Sequence, residues 1–81
     1  MQISTRFYSY YKDLVGVDEL ALDLPDGSTL GDLLEAVFEK HPKLREMRQS
    51  TLKAVGVEYQ KEDYVLRKGD QVSLFPPVQG G

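Results

Sequence analysis

Polar and apolar residues alternate from the first residues of the chain. Ile3, Thr5 and Phe7 fall on one side of an extended segment over residues 2–8, and Ser4, Arg6 and Tyr8 on the other. A period of two is the pattern of a half-buried strand. Tyr10 to Val15 reads as a short helical or irregular turn closed by Gly16. Leu20, Leu22 and Leu24 then alternate with Ala21 and Asp23 as a second strand, which Pro25-Asp26-Gly27 breaks. The period next changes. Leu30, Leu33, Leu34, Val37 and Phe38 follow the i, i+3, i+4, i+7, i+8 spacing of one helical face. Ser28 or Thr29 can cap this helix, and Asp32, three residues after Thr29, suits a capping box at the positive end of the dipole. His41-Pro42 ends it, because the residue before proline is pushed out of the helical region.

Leu44 and Met47 suggest a short extra turn. Leu52 to Tyr59 reads as a third strand, Asp63 to Leu66 as a short fourth, Arg67-Lys68-Gly69-Asp70 as a turn and Gln71 to Phe75 as the last strand. The order β-β-α-β-β gives an α+β fold with one mixed sheet and one main helix packed across it, the ubiquitin-like β-grasp. Residues 1–75 are expected to form this domain and residues 76–81 an extended C-terminal tail.

Composition narrows the function. The chain has 81 residues, 41% of them hydrophobic and 28% charged, enough for one core but not two. Its formal charge of −3, with no cluster of Lys and Arg, argues against nucleic acid as a partner. There is no cysteine, hence no disulfide, thiolate metal site or cysteine nucleophile. The N-terminal alternation does not suit a signal peptide, and no apolar run approaches the ~18 residues of a membrane span. A cytoplasmic protein that does not enter membranes is expected.

The tail carries the candidate chemistry. Pro76 and Pro77 cannot donate ladder hydrogen bonds and favour an extended chain, so they should lead the tail away from the sheet. Gly80-Gly81 leaves the last two positions without side chains, so a backbone can enter a narrow channel and deliver a carboxylate to a buried centre. The bland alternative is a frayed end, since glycines are common at disordered termini. A carboxylate needs activation before a sulfur or nitrogen nucleophile can attack it, and an acyl-adenylate supplies the leaving group. The chain has no phosphate-binding glycine motif, so a separate adenylating enzyme is implied, and no cofactor is expected on this chain itself.

Other candidates are weaker. By strand alternation Phe7 belongs to the core with Ile3, whereas Phe75 faces away from Val72 and Leu74 and is the better partner anchor, together with Tyr59. Tyr8, Tyr10 and Tyr11 lack the basic surroundings of a base-stacking site and suit sheet-edge packing or a protein contact. His41, the single histidine, is read as a helix C-terminal residue and not as a ligand or acid-base group. Glu35, Glu39 and Lys40, and Glu58, Glu62 and Asp63, read as solvated surface.

Leu74-Phe75-Pro76-Pro77-Val78-Gln79-Gly80-Gly81 resembles the terminal motif of the MoaD family, the small sulfur-carrying subunits of molybdopterin synthase. Phe7-Tyr8 with Lys12-Asp13-Leu14-Val15-Gly16, the Asp26 to Pro42 segment and Gly69-Asp70-Gln71-Val72 are similar to other parts of that family. The resemblance covers the whole chain and is most specific in the LFPP-x-GG ending. It implies that Gly81 is adenylated at the expense of ATP by an E1-like (MoeB-like) adenylyltransferase and converted to a thiocarboxylate. Gly80, with Pro76 and Pro77, would allow insertion into a large catalytic (MoaE-like) subunit. There the sulfur would go to cyclic pyranopterin monophosphate for molybdenum cofactor biosynthesis. On this reading the chain is a carrier and not itself an enzyme. A sulfur carrier without a thiol agrees with the lack of cysteine. Lys12 stands where the family often has arginine, which removes a bidentate contact to a partner carboxylate. Ser9 stands for the usual alanine, and Gly56 for a frequent asparagine. Two alternatives keep the fold: a ubiquitin-like modifier conjugated through Gly81, and a sulfur carrier for thiamine, cysteine or another product.

Overall fold

A computed structural model describes residues 1–77. Five strands, β1 (Gln2–Phe7), β2 (Glu19–Asp23), β3 (Leu52–Val55), β4 (Glu58–Tyr59) and β5 (Gln71–Phe75), form one mixed sheet in the order β2-β1-β5-β3-β4. β5 lies at the centre beside β1, to which it runs parallel with Leu74 opposite Phe7, and every other pairing is antiparallel. Helix α1 (Tyr10–Val15) follows β1, and α2 (Leu30–Lys40) packs across the inner face, followed by a 3-10 helix, Pro42–Ser50. This is the α+β arrangement that the order of elements predicts.

The apolar stripe of α2 decides the packing. Leu30, Leu33, Leu34, Val37 and Phe38 are all buried against Ile3, Phe7, Leu22, Val55, Val72 and Leu74 from the sheet. Thr29 begins the helix with a complete capping box: its hydroxyl accepts from the Asp32 N–H, and the Asp32 carboxylate accepts from the Thr29 N–H at 2.9 Å. His41 closes the helix, its N–H donating to the Val37 carbonyl at 2.8 Å.

Two segments depart from the expectation. The single strand expected over residues 52–59 is a hairpin, β3 and β4, because Gly56 at φ 62° turns the chain after Val55. Asp63 to Leu66 is not a strand of the sheet. It runs instead beside the start of α2, with Leu30 N–H donating to Tyr64 O at 2.8 Å, Gly31 N–H to Glu62 O at 2.9 Å and Leu66 N–H to Ser28 O at 2.8 Å. The segment thereby satisfies helix N-terminal amides that have no partner within the helix. A Cβ on Gly31 would sit 3.2–3.3 Å from Glu62, so glycine is what lets the two backbones approach.

Glu35 and Glu62 are also not free surface carboxylates. Arg48 of the 3-10 helix bonds to Glu62, at 2.7 Å from one nitrogen, and to Glu35 of α2. The hydrogen bonds from Arg48 hold the Glu62 carboxyl below the usual carboxylate range. Arg48 therefore ties the 3-10 helix to α2 and to the segment that caps it.

Candidate functional site

The two faces of the sheet differ in character. Most inner positions are large and apolar, whereas Ser4, Ala21, Ala54 and Ser73 make much of the outer face small. At the end of that outer face where β5 finishes, the surface becomes aromatic. Phe75 is the last residue of β5 and sits opposite Leu52, and Tyr59 reaches the same face opposite Ala54. Tyr8, one residue beyond β1, stacks on Phe75 with ring centroids 4.6 Å apart and planes inclined by 15°. Offset stacking of this kind holds the Phe75 ring in place without removing the patch from solvent. Tyr59 keeps 69% of its surface exposed. Val57 keeps 99%, at the hairpin turn beside the start of β5 and so at the other end of the face. Side chains left this open along one face of a small domain mark a contact surface more readily than a core.

Pro76 and Pro77 leave β5 through a groove of about 430 Å³ lined by Ser9, Tyr10, Leu52, Tyr59, Phe75 and the two prolines themselves. Neither proline has an N–H with which to extend the ladder, so the pairing of β5 with β1 and β3 stops at Phe75. A smaller concavity of about 290 Å³ continues from it across Tyr8, Ala54, Gly56, Val57 and Ser73. The two share Tyr59 and Phe75, so the base of the tail and the outer sheet face form one continuous surface.

Of the residues expected at a site, Phe75, Tyr59, Pro76 and Pro77 are brought together here. Lys12 is not in this groove. It lines an adjoining concavity with Arg6, Phe7, Tyr8, Ser9 and Asp18, which shares Ser9 with the groove. Gly80 and Gly81 lie outside the described residues. Phe7 is buried, as alternation required.

The three tyrosines separate. Tyr11 is in the core, and Thr51 fixes its hydroxyl: the Thr51 hydroxyl donates to Met47 O at 2.7 Å, so it accepts from Tyr11 at 2.6 Å. Burial pushes the Tyr11 phenol above its ordinary value. Tyr10 lies edge-on to Tyr11 at 5.4 Å and is half exposed, while Tyr8 belongs to the patch. Residue alternation could have singled out Tyr8, since Phe7 points inward. Ser9 carried no such signal, although it adopts φ 59° and ψ −139°, a backbone conformation that side chains disfavour.

Among the described residues, no set of three or more His, Asp or Glu side chains is placed to hold a metal ion, and no helix is long and apolar enough to cross a membrane. The arrangement presents an exposed aromatic face with two prolines leading off its edge.

Comparison with known proteins adds the chemistry. The model of the ThiS family matches residues 5–81. A molybdopterin synthase sulfur carrier subunit from Arabidopsis thaliana is 30% identical over 81 residues, spanning 100% of this chain and 84% of that protein. Its counterpart from Chlamydomonas reinhardtii is 31% identical over 83 residues, spanning 100% of both. Among solved structures, a putative molybdopterin converting factor, subunit 1, from Pyrococcus furiosus has a TM-score of 0.88 at 30% identity, covering 96% of this chain and 99% of that one.

Proposed function

Because this chain belongs to the ThiS family, we propose that it is a sulfur carrier and serves as the small subunit of molybdopterin synthase. The observation that carries this reading is similarity along the whole chain, at 30% and 31% identity, to proteins named for that role. The aromatic face around Phe75 and the prolines beyond it suit a subunit that docks by its sheet and extends its tail into a partner.

The chemistry then belongs to Gly81. A separate E1-like adenylyltransferase couples its carboxylate to the α-phosphate of ATP and releases pyrophosphate. A sulfur donor displaces AMP, leaving a thiocarboxylate. The large catalytic subunit receives the tail, with Gly80 giving the width its channel requires, and the sulfur passes to cyclic pyranopterin monophosphate. ATP is thus consumed by the activating partner. Phe75 and Tyr59 supply the apolar anchor for docking, and Lys12 in the adjoining concavity pairs with a partner carboxylate through a single charge contact.

Intact mass spectrometry tests the proposal. Incubated with ATP, the adenylating enzyme and a sulfur donor, the protein should gain the mass of sulfur replacing one oxygen, and a variant lacking Gly81 should not. An unchanged mass under conditions that load a known carrier overturns the reading.

A further inference from the structure

Among the described residues Ser9 is the one non-glycine residue with a positive φ, at φ 59° and ψ −139°. Its hydroxyl makes no capping bond to α1, so the backbone is not held there by the side chain. Strain of this kind persists only where the surroundings over-determine it. The surroundings here are two aromatic residues. Tyr8 is fixed on one side, its N–H donating to Leu74 O at 3.2 Å and its ring stacked on Phe75. Tyr10 is fixed on the other, edge-on to the buried Tyr11 and with its hydroxyl 3.5 Å from the Met47 sulfur. Between them the chain changes from strand to helix, with Tyr11 N–H already donating to Tyr8 O and Lys12 N–H to Ser9 O. Ser9 alone absorbs the change of direction.

Both tyrosines that flank it meet the base of the tail. Tyr8 holds Phe75, and Tyr10 lines the groove through which Pro76 and Pro77 leave. The order β1-β5-β3-β4 puts Ser9 and Tyr10 on the β1 side of that groove and Leu52 and Tyr59 on the β3–β4 side.

We infer that Ser9 is a positioning residue for the tail: its left-handed backbone turns Tyr8 and Tyr10 together toward Phe75, Pro76 and Pro77 and so sets the direction in which the tail leaves the sheet. The inference rests on the carrier reading for its consequence, which is that a loosened tail delivers its end less often to the reacting position. It rests on the backbone geometry alone for its cause.

Two substitutions test it. Ser9→Gly adopts positive φ freely and so keeps the turn. Ser9→Val disfavours the turn, because a β-branched side chain is an outlier at positive φ. NMR contacts between the Tyr10 ring and the Pro76 and Pro77 ring protons, and single-turnover sulfur transfer from the loaded protein at saturating large subunit, are compared with the original chain well below the melting temperature of each variant. Ser9→Gly should match the original in ring contacts and transfer. Ser9→Val should remain folded, lose the ring contacts and transfer about tenfold more slowly. That loss should persist as the large subunit is raised further, because it concerns where the docked tail points and not how much protein is docked. Ser9→Val with intact ring contacts, or with lost contacts and unchanged transfer, overturns the inference, as does loss of the contacts in Ser9→Gly. If the original chain cannot be loaded or does not transfer sulfur, the carrier reading fails, and the ring contacts still decide the role of Ser9.

Discussion

Tyr8 and Phe75, 67 residues apart in sequence, stack face to face at 4.6 Å because the parallel pairing of β1 with β5 sets Phe7 opposite Leu74 and carries each following residue to the outer face. The contact is therefore a product of register. A stacked pair contributes about 0.5–1.5 kcal/mol beyond its area. A double-mutant cycle of Tyr8→Ala and Phe75→Ala, followed by chemical denaturation, should give a coupling energy in that range. Additive losses would show that the rings pack independently.

Tyr59 separates docking from folding. It lines the groove at the tail base and the concavity beside it, yet most of its surface is open. Tyr59→Ser should change stability by less than about 0.5 kcal/mol, as substitutions at exposed positions do. Affinity for the large subunit, measured by calorimetry, should fall by about tenfold or more, the loss expected for an aromatic anchor. Equal affinity would remove Tyr59 from the interface.

Thr5 lies on the inner face of β1, fully buried, and its hydroxyl has no hydrogen-bond partner among the described residues. A buried hydroxyl without a partner keeps its desolvation cost, about 1–3 kcal/mol. Valine has the same shape without that group. Thr5→Val should therefore raise stability by about 1 kcal/mol, about 4–8 °C in melting temperature for a domain of this size. A lower melting temperature would mean that the hydroxyl is in fact satisfied.

How much of this was legible in the sequence depended on whether the cause was local. The face of α2 and its Thr29–Asp32 cap were readable because helix period and capping chemistry act within a few residues. Phe75 could be placed by alternation along its own strand, whereas Tyr59 could not, because Gly56 splits the expected strand and brings Tyr59 opposite Ala54 and not onto the Val55 face. Asp63 to Leu66 misled because alternating Tyr64 and Leu66 look the same whether the neighbour is a sheet or the start of a helix, and Leu30 and Gly31 decided between them. The Tyr8–Phe75 stack and the strained Ser9 depended on which strand lies beside which, and Arg48 on where a 3-10 helix comes to rest. None of these is encoded in a short window.

Arg48 and Glu62 give a pH dependence whose sign follows from geometry. The hydrogen bonds from Arg48 stabilise the ionised Glu62, so its carboxyl titrates lower in the folded protein than in the unfolded chain. A depressed folded value contributes stability that is fully present above the unfolded value, near 4.5. That contribution is lost as pH falls through the lower, folded value. Because the Glu62 side chain is 39% exposed, solvent screening keeps it to about 1 kcal/mol or less. Glu62→Gln should thus be less stable than the original at pH 7. The gap should close as denaturation is repeated at progressively lower pH below about 4.5, because the original chain then loses the same charge. Arg48→Met should show the same closing gap, since it removes the other half of the pair. Its remaining deficit at low pH would measure what the guanidinium contributes by lying 5.7 Å over the Phe38 ring and by its bond to Glu35. A gap that stayed constant with pH in both variants would assign their effect to packing and not to the ion pair.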